Sequence, residues 1–252
     1  MKYLLTAIWA LVCIGVLAFS HISWNKQTTV QAVKSEHDKK VDQENNTANN
    51  YEEYLKMAGN WPETAKDQFL LSMKAGNPFK ILFVGSGALQ WGNVVSQGLT
   101  ESFGSKRIST SLHTFDSTSD DFIAGNKQLE IAAEKAQLVV IEPFLLNDNG
   151  TTTIDVTLAN LTKIMDDIKA ESPETTFILQ PSYPFYLPNY YSIQVKALKE
   201  YATLNNLTYL DHWSAWPATD NPQINDYVTQ SGPNAEGLNV WANYLVEYFV
   251  KK

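Results

Sequence analysis

Short apolar segments alternate with helix-length segments along most of this 252-residue chain, and this alternation strongly constrains the fold. Five segments have the length and apolar content of buried strands: Lys80–Val84, Ser109–Phe115, Gln137–Ile141, Thr175–Leu179 and Leu207–Leu210. Between and after them, apolar side chains recur every three or four residues, in stripes that start at Leu161, Tyr191 and Leu238. The pattern predicts an α/β three-layer sandwich, a parallel five-stranded sheet with helices on both faces.

The first residues of the chain are strongly apolar. Lys2 precedes an apolar run from Tyr3 to Phe19, about the length that one tilted helix needs to cross a bilayer. Because Ala18-Phe19-Ser20 has a bulky middle residue, an uncleaved transmembrane signal-anchor over residues 1–23 is favoured over a removed signal peptide. Lys2 favours a cytoplasmic start, which predicts a single-pass cell-membrane protein whose C-terminal domain is extracellular.

The rest of the chain divides into a polar segment and one domain. Residues 24–50 are polar and poor in aromatics, which predicts a disordered tether, and residues 51–252 are long enough for one domain with a sizeable core. The single cysteine, Cys13, lies in the apolar run, so the domain does not depend on disulfides. The net charge is -8 without a basic run, which argues against nucleic acid as a partner.

Polar residues follow each predicted strand, at the edge of the sheet where open α/β folds bind their ligands. The segments concerned are Gly85-Ser86-Gly87, Asp116-Ser117-Thr118, Pro143–Asp148, Gln180-Pro181-Ser182 and Asp211-His212-Trp213. No Walker loop or dinucleotide fingerprint occurs among them. The domain has two scattered histidines and no paired acidic motif of ligand spacing, so the sequence predicts neither a metal site nor a cofactor.

Three segments resemble, in order and spacing, the catalytic blocks of the SGNH/GDSL hydrolases. They are Ile81–Gly87, Val140–Asp148 and Gly232–Ala242, and the resemblance extends over roughly Pro78–Phe249. It implies the flavodoxin-like SGNH hydrolase fold and is strongest to membrane-tethered members of bacterial envelopes. It also implies hydrolysis of esters, including acetyl groups on carbohydrates, through a serine nucleophile, a histidine base and an oxyanion hole.

Two of the catalytic positions implied by the resemblance are occupied by glycine. Gly87 stands where the nucleophilic serine is usual, so the adjacent Ser86 is the candidate nucleophile. Gly232 stands where the base is usual, so His212, at the end of the fifth predicted strand, is the candidate recruited base. The catalytic blocks are therefore degenerate.

The resemblance also assigns the oxyanion donors and the substrate contacts. Asn147 matches the block's asparagine, whose amide donates to the developing oxyanion, and Ser117 follows the second strand where a further donor is expected. Five more positions are candidate substrate-binding residues: Gly85, Gly87, Asp148, Asn234 and Trp213.

Four of these candidates, Ser86, Ser117, Asn147 and His212, also have a purely structural interpretation. Ser86 can cap the following helix, and the serines and threonines before Asp120 can do the same for the next one. Asn147–Gly150 suits a turn and helix-capping cluster, and Asp211-His212 can cap a strand while Trp213 and Trp216 pack the loop.

Two functions consequently remain open, and whether the chain is an enzyme is not decided by its sequence. One is an exported hydrolase that deacetylates a small ester or an acylated cell-surface glycan. The other is a catalytically inactive binding module for an envelope glycan or an envelope protein partner, since glycines occupy two essential positions.

Overall fold

The structure of the protein is a computed structural model that describes residues 50–252. The anchor predicted at residues 1–23, and all but the last residue of the predicted tether, lie outside the described residues. Within residues 50–252, no helix combines the length and the apolar character that a bilayer span requires. Residues 54–252 form one compact unit.

Five parallel strands form the central sheet. They are β1 (Phe79–Gly85), β2 (Ile108–Thr114), β3 (Leu138–Ile141), β4 (Thr176–Leu179) and β5 (Thr208–Tyr209). Their order is β2-β1-β3-β4-β5, and all four neighbouring pairs are parallel. The direction of winding therefore reverses between β1 and β3, which is where open sheets of this type form a crevice at their carboxyl ends. The predicted five-stranded α/β sandwich is confirmed.

Eight helices follow the lead-in segment, in which residues 50–57 are helical. They are α1 (Glu63–Ala75), α2 (Trp91–Phe103), α3 (Ser119–Ala124), α4 (Lys127–Ala133), α5 (Leu145–Asp148), α6 (Ile154–Glu171), α7 (Asn189–Leu204) and α8 (Ala235–Phe249). Two 3-10 turns, His212–Ala215 and Pro222–Asp226, lead from β5 to an antiparallel hairpin of β6 (Val228–Thr229) and β7 (Gly232–Pro233).

The two faces of the sheet bury different kinds of side chain. On one face, Phe83 of β1 packs edge-on against Phe249, and Phe79 lies 5.5 Å from Trp61 between ring centroids. On the other face, Leu82 and Val84 belong to a largely aliphatic cluster with residues of α6 and α7. Because successive strand residues point to opposite faces, β1 is buried on both sides. Its carboxyl end is thus held by packing on both faces.

Candidate active site

Ser86 directly follows β1, and its hydroxyl is held by a neighbouring carboxylate. Ser86 Oγ donates a hydrogen bond of 2.7 Å to Glu142 Oε1. The capping interpretation does not describe this serine, because α2 begins only at Trp91 and Gln90 is its N-cap residue. Ser86 therefore forms a hydroxyl–carboxylate pair at the sheet edge.

Glu142 follows β3, the strand beside β1, and its side chain is buried. Gly85 makes room for it, since a Cβ atom at position 85 would lie 2.6 Å from Glu142 Oε2. Real Cβ atoms essentially never approach another atom so closely, so any larger residue at position 85 would force the Glu142 carboxylate to move. Gly85 thus positions the Ser86–Glu142 pair.

Burial raises the pKa of Glu142 from its ordinary 4.5 to about 6. The Ser182 and Ser86 hydroxyls and the Ser86 backbone N–H, which face the carboxyl, oppose this shift and lower the pKa. Ser86 supplies a hydrogen bond of normal geometry, whereas Ser182 Oγ faces the carboxyl without one. A carboxyl group with a pKa near 6 can accept and return a proton near neutral pH.

A small cavity of about 260 Å³ is lined by Ser86, while its partner Glu142 is buried outside the lining. Ser86, Gly87, Asp116, Asn147 and Tyr183 are among its lining residues. Its volume is below the roughly 300–1,000 Å³ typical of pockets for whole ligands, and it suits a small group such as an acyl chain of a few atoms. The structure therefore brings the candidate nucleophile and the candidate oxyanion donor Asn147 to one cavity.

His212 has partners of its own inside the core. It is fully buried, its Nδ1 accepts from Trp216 Nε1 at 3.1 Å, and its Nε2 lies 2.9 Å from the Pro181 carbonyl oxygen. Because Nδ1 accepts a hydrogen bond, the ring proton is on Nε2, which donates a hydrogen bond to the Pro181 carbonyl oxygen. Burial lowers the pKa of His212 to about 3, and its ring stacks on Trp241 with centroids 4.2 Å apart. His212 does not line the cavity, and the expected pairing with Ser86 is not formed.

His212→Gln is expected to lower the free energy of unfolding by about 2–4 kcal/mol. The buried groups around His212 lose their hydrogen bonds to its imidazole, and the stacking of that ring is lost as well. The turnover number per folded molecule should remain that of the parent, since the hydrogen bonds of His212 go to Pro181 and Trp216, whereas Ser86 Oγ is bonded to Glu142. Urea unfolding and ester hydrolysis, with rates normalised to the folded fraction, measure the two effects. A rate that falls far more than the folded fraction would return His212 to the role of base.

Ser117 and Asp148 also lie outside the lining of this cavity. Beside Ser117, Thr118 is the N-cap of α3 and accepts from the Asp121 backbone N–H at 3.2 Å, as the capping interpretation of this segment predicts. Asp148 is fully buried and accepts from Ser119 N at 2.8 Å and Ser119 Oγ at 2.6 Å. It also accepts from Thr157 Oγ1 at 2.6 Å, so it ties α5 to α3 and α6.

Asn234 and Trp213 have structural partners as well. Asn234 caps α8, since its Oδ1 accepts from the backbone N–H groups of Glu236 and Gly237, each at 3.0 Å. Trp213 Nε1 donates to the Ser182 carbonyl oxygen at 2.7 Å. Trp213 thereby fixes the backbone of Ser182, whose hydroxyl faces Glu142.

Glu142 is the residue of the candidate site that the sequence did not single out. One signal was present, because a lone acid follows the fully buried strand β3 and precedes Pro143. A carboxylate beside such a strand needs a specific partner. As to metals, no three His, Cys, Asp or Glu side chains group as ligands in the part of the chain that the structure describes.

Comparison with known proteins gives structural matches without sequence matches. No protein-family model matches the chain, and no curated protein sequence does. A carbohydrate esterase family 3 structure from Talaromyces cellulolyticus aligns with a TM-score of 0.57 at 13% identity, over 66% of this chain and 94% of that one.

Two further structures give the same result. An acetylxylan esterase from Geobacillus stearothermophilus aligns with a TM-score of 0.56 at 16% identity, over 70% of this chain and 96% of that one. A GDSL-like lipase from Bacteroides thetaiotaomicron aligns with a TM-score of 0.51 at 16% identity, over 74% and 98%. At these identities the likeness establishes the fold, and the chemistry has to be argued from the residues of this chain.

Proposed function

We propose that this chain, which has the fold of the SGNH/GDSL hydrolases, hydrolyses esters with Ser86 as nucleophile and Glu142 as base. The observation that carries the proposal is the 2.7 Å hydrogen bond from Ser86 Oγ to Glu142 Oε1 beside a small cavity. Asn147, which lines the same cavity, is proposed as a donor to the oxyanion. In this proposal Glu142 is the base, in place of His212, which the sequence had suggested for that role.

The first half of the proposed reaction forms an acyl-enzyme. Ser86 Oγ attacks the carbonyl carbon of the ester while Glu142 accepts the hydroxyl proton. The carbonyl oxygen becomes negative in the tetrahedral intermediate, where the Asn147 amide stabilises it. As the intermediate collapses, the bond to the alcohol oxygen breaks and Glu142 returns the proton to that oxygen. The alcohol leaves, and the acyl group stays on Ser86.

The second half repeats these steps with water. Glu142 accepts a proton from a water molecule, whose oxygen attacks the acyl carbon on Ser86. The carbon–Oγ bond then breaks, and the proton passes from Glu142 to Ser86 Oγ. A carboxyl group with a pKa of about 6 suits both steps, because it is mostly ionised near neutral pH and is a stronger base than an ordinary carboxylate.

The proposed substrate is an acetylated cell-surface glycan. The cavity volume of about 260 Å³ supports a short acyl group, and two of the structural neighbours are an acetylxylan esterase and a carbohydrate esterase. The apolar run Tyr3–Phe19 supports a single-pass location in the cell membrane, with this domain on the outer side. An enzyme in that position would meet acylated polymers of the envelope.

Hydrolysis of 4-nitrophenyl acetate by the purified full-length chain tests the proposal. We expect multiple turnovers, with acyl-Ser86 trapped on acid quenching and detected by mass spectrometry of the peptide that contains it. If micromolar protein does not hydrolyse 4-nitrophenyl acetate at pH 8, the proposal is contradicted.

A binding module is the second candidate, and a specific observation favours it. In the part of the chain that the structure describes, no histidine lines the cavity. The resemblance would place one at Gly232, whose φ of 116° disfavours any larger residue. Saturable glycan binding without turnover would support this candidate.

A further inference from the structure

A second, larger cavity adjoins the small one. Its volume is about 560 Å³, within the roughly 300–1,000 Å³ range of ligand pockets. Tyr183 lines both cavities and therefore stands between them. The hairpin from β6 to β7 also lies between the two cavities, because Gln230 lines the larger cavity and the next residue, Ser231, lines the small one. A molecule in the larger cavity can thus extend a substituent toward Ser86.

The lining of the larger cavity combines aromatic rings with neutral polar groups. Phe185 and Tyr186 contribute the rings, and Asn225, Thr229 and Gln230 contribute amides and a hydroxyl. None of the described residues that line it is charged. Flat rings beside neutral donors and acceptors match a sugar, which has apolar ring faces and a rim of hydroxyls.

Charges around the small cavity narrow the choice of ligand. Asp116 lines that cavity, and the buried Glu142 carboxyl is hydrogen-bonded to Ser86, which also lines it. A uronate or a phosphate group held next to these two acids would be repelled. The ligand that fits both cavities is therefore an uncharged oligosaccharide.

The walls of the larger cavity are held in place by packing and hydrogen bonds. Phe185 stacks on the buried Tyr191 with ring centroids 5.4 Å apart and an interplanar angle of 2°. In the hairpin, Thr229 Oγ1 donates to the Gly232 carbonyl oxygen at 3.0 Å. A preformed pocket binds with a smaller entropic cost than one that must be ordered first.

We infer that the larger cavity is a binding subsite for a neutral oligosaccharide, which directs an acetyl substituent of that sugar past Tyr183 toward Ser86. The inference names the substrate class for the proposed function and rests on it for the fate of the acetyl group. Binding itself does not require hydrolysis.

The test measures binding by the full-length chain carrying Ser86→Ala, which cannot consume the probe by the proposed route. Isothermal titration calorimetry is run with partially O-acetylated xylotetraose, mannotetraose and tetra-N-acetylchitotetraose, and with tetragalacturonate as the anionic comparison. We expect at least one neutral probe to bind about tenfold or more tightly than tetragalacturonate. Tyr186→Ala and Gln230→Ala should each weaken that binding by about threefold to tenfold. Tyr190→Ala, an exposed tyrosine outside both cavities, is the matched control and should leave it unchanged.

The outcomes separate the subsite from the chemistry. If no neutral probe binds, if tetragalacturonate binds equally well, or if Tyr186→Ala and Gln230→Ala behave like Tyr190→Ala, the subsite is wrong, even when 4-nitrophenyl acetate is hydrolysed. If a neutral probe binds with the expected sensitivity and the parent chain hydrolyses no ester, the subsite stands and the proposed hydrolysis fails.

Discussion

Ser86→Ala is expected to lower kcat/KM for 4-nitrophenyl acetate by about 10³-fold or more. The hydroxyl that forms the covalent intermediate is lost, and Glu142 is left without the hydrogen bond that Ser86 Oγ gives it. The variant should remain folded, because the unpaired Glu142 carboxyl can take up a proton and stay buried as a neutral group. Initial rates at pH 8, with circular dichroism as the folding check, measure the effect.

The matched control is Ser105→Ala, which removes an exposed hydroxyl outside the cavity and should hydrolyse the ester at the parent rate. If Ser86→Ala, folded and pure, also hydrolyses the ester at the parent rate, the nucleophile is not Ser86. Acyl transfer would then have to be assigned to another group.

The sequence predicted the sheet well because its strands are buried and its helices are periodic. All five observed strands agree with the prediction to within one residue at each end, and the stripe Leu161, Ile164 and Ile168 is buried on α6 as expected. Thr208–Tyr209 is the shortest of the five strands, since this edge strand pairs with β4 alone. The two-residue strands β6 and β7 were not predicted, because segments so short have no measurable period.

The sequence predicted part of the candidate site, because residues that follow neighbouring parallel strands meet at the same edge of the sheet. Ser86 and Asn147 follow β1 and β3, which are neighbours in the sheet, so their meeting at one cavity follows from the topology. His212 also follows a strand, but its partners Trp216 and Trp241 turn it into the core. The burial of a single side chain depends on such tertiary contacts, which sequence spacing does not reveal.

Glu142 was missed for a related reason. Its role depends on the absence of a side chain at Gly85 and on the approach of Ser86 from the neighbouring strand. The block of the resemblance is matched by Asn147 and Asp148, and Glu142 lies five residues before Asn147. A buried acid that costs stability is the kind of local conflict that functional sites retain.

Glu142→Gln is expected to lower the rate of ester hydrolysis by about 10²–10⁴-fold, because the amide cannot accept the Ser86 proton. The rate of the parent should rise with pH through about 6, where the Glu142 carboxyl loses its proton and becomes the active base. The residual rate of the variant should lack that step. Rates between pH 4.5 and 8.5 in buffers of constant ionic strength measure both features. A step near pH 6 that persists in the variant would assign it to another group.

The same substitution should stabilise the folded protein at neutral pH. The pKa of Glu142 is raised in the folded state, so between about pH 4.5 and 6 the folded chain binds this proton more tightly than the unfolded chain. Stability therefore falls as pH rises through that window, by up to about 2 kcal/mol, and a neutral glutamine avoids this loss. Urea unfolding at pH 4 and pH 8 should show Glu142→Gln to be more stable than the parent only at pH 8. The titration of His212 is common to both proteins and cancels in the difference.

The exposed Glu171→Gln is the control and should show no such gain. If Glu142→Gln is inactive and also less stable than the parent at pH 8, Glu142 is a structural residue. If it loses activity and gains stability, Glu142 behaves as a catalytic base whose buried position costs the folded protein stability.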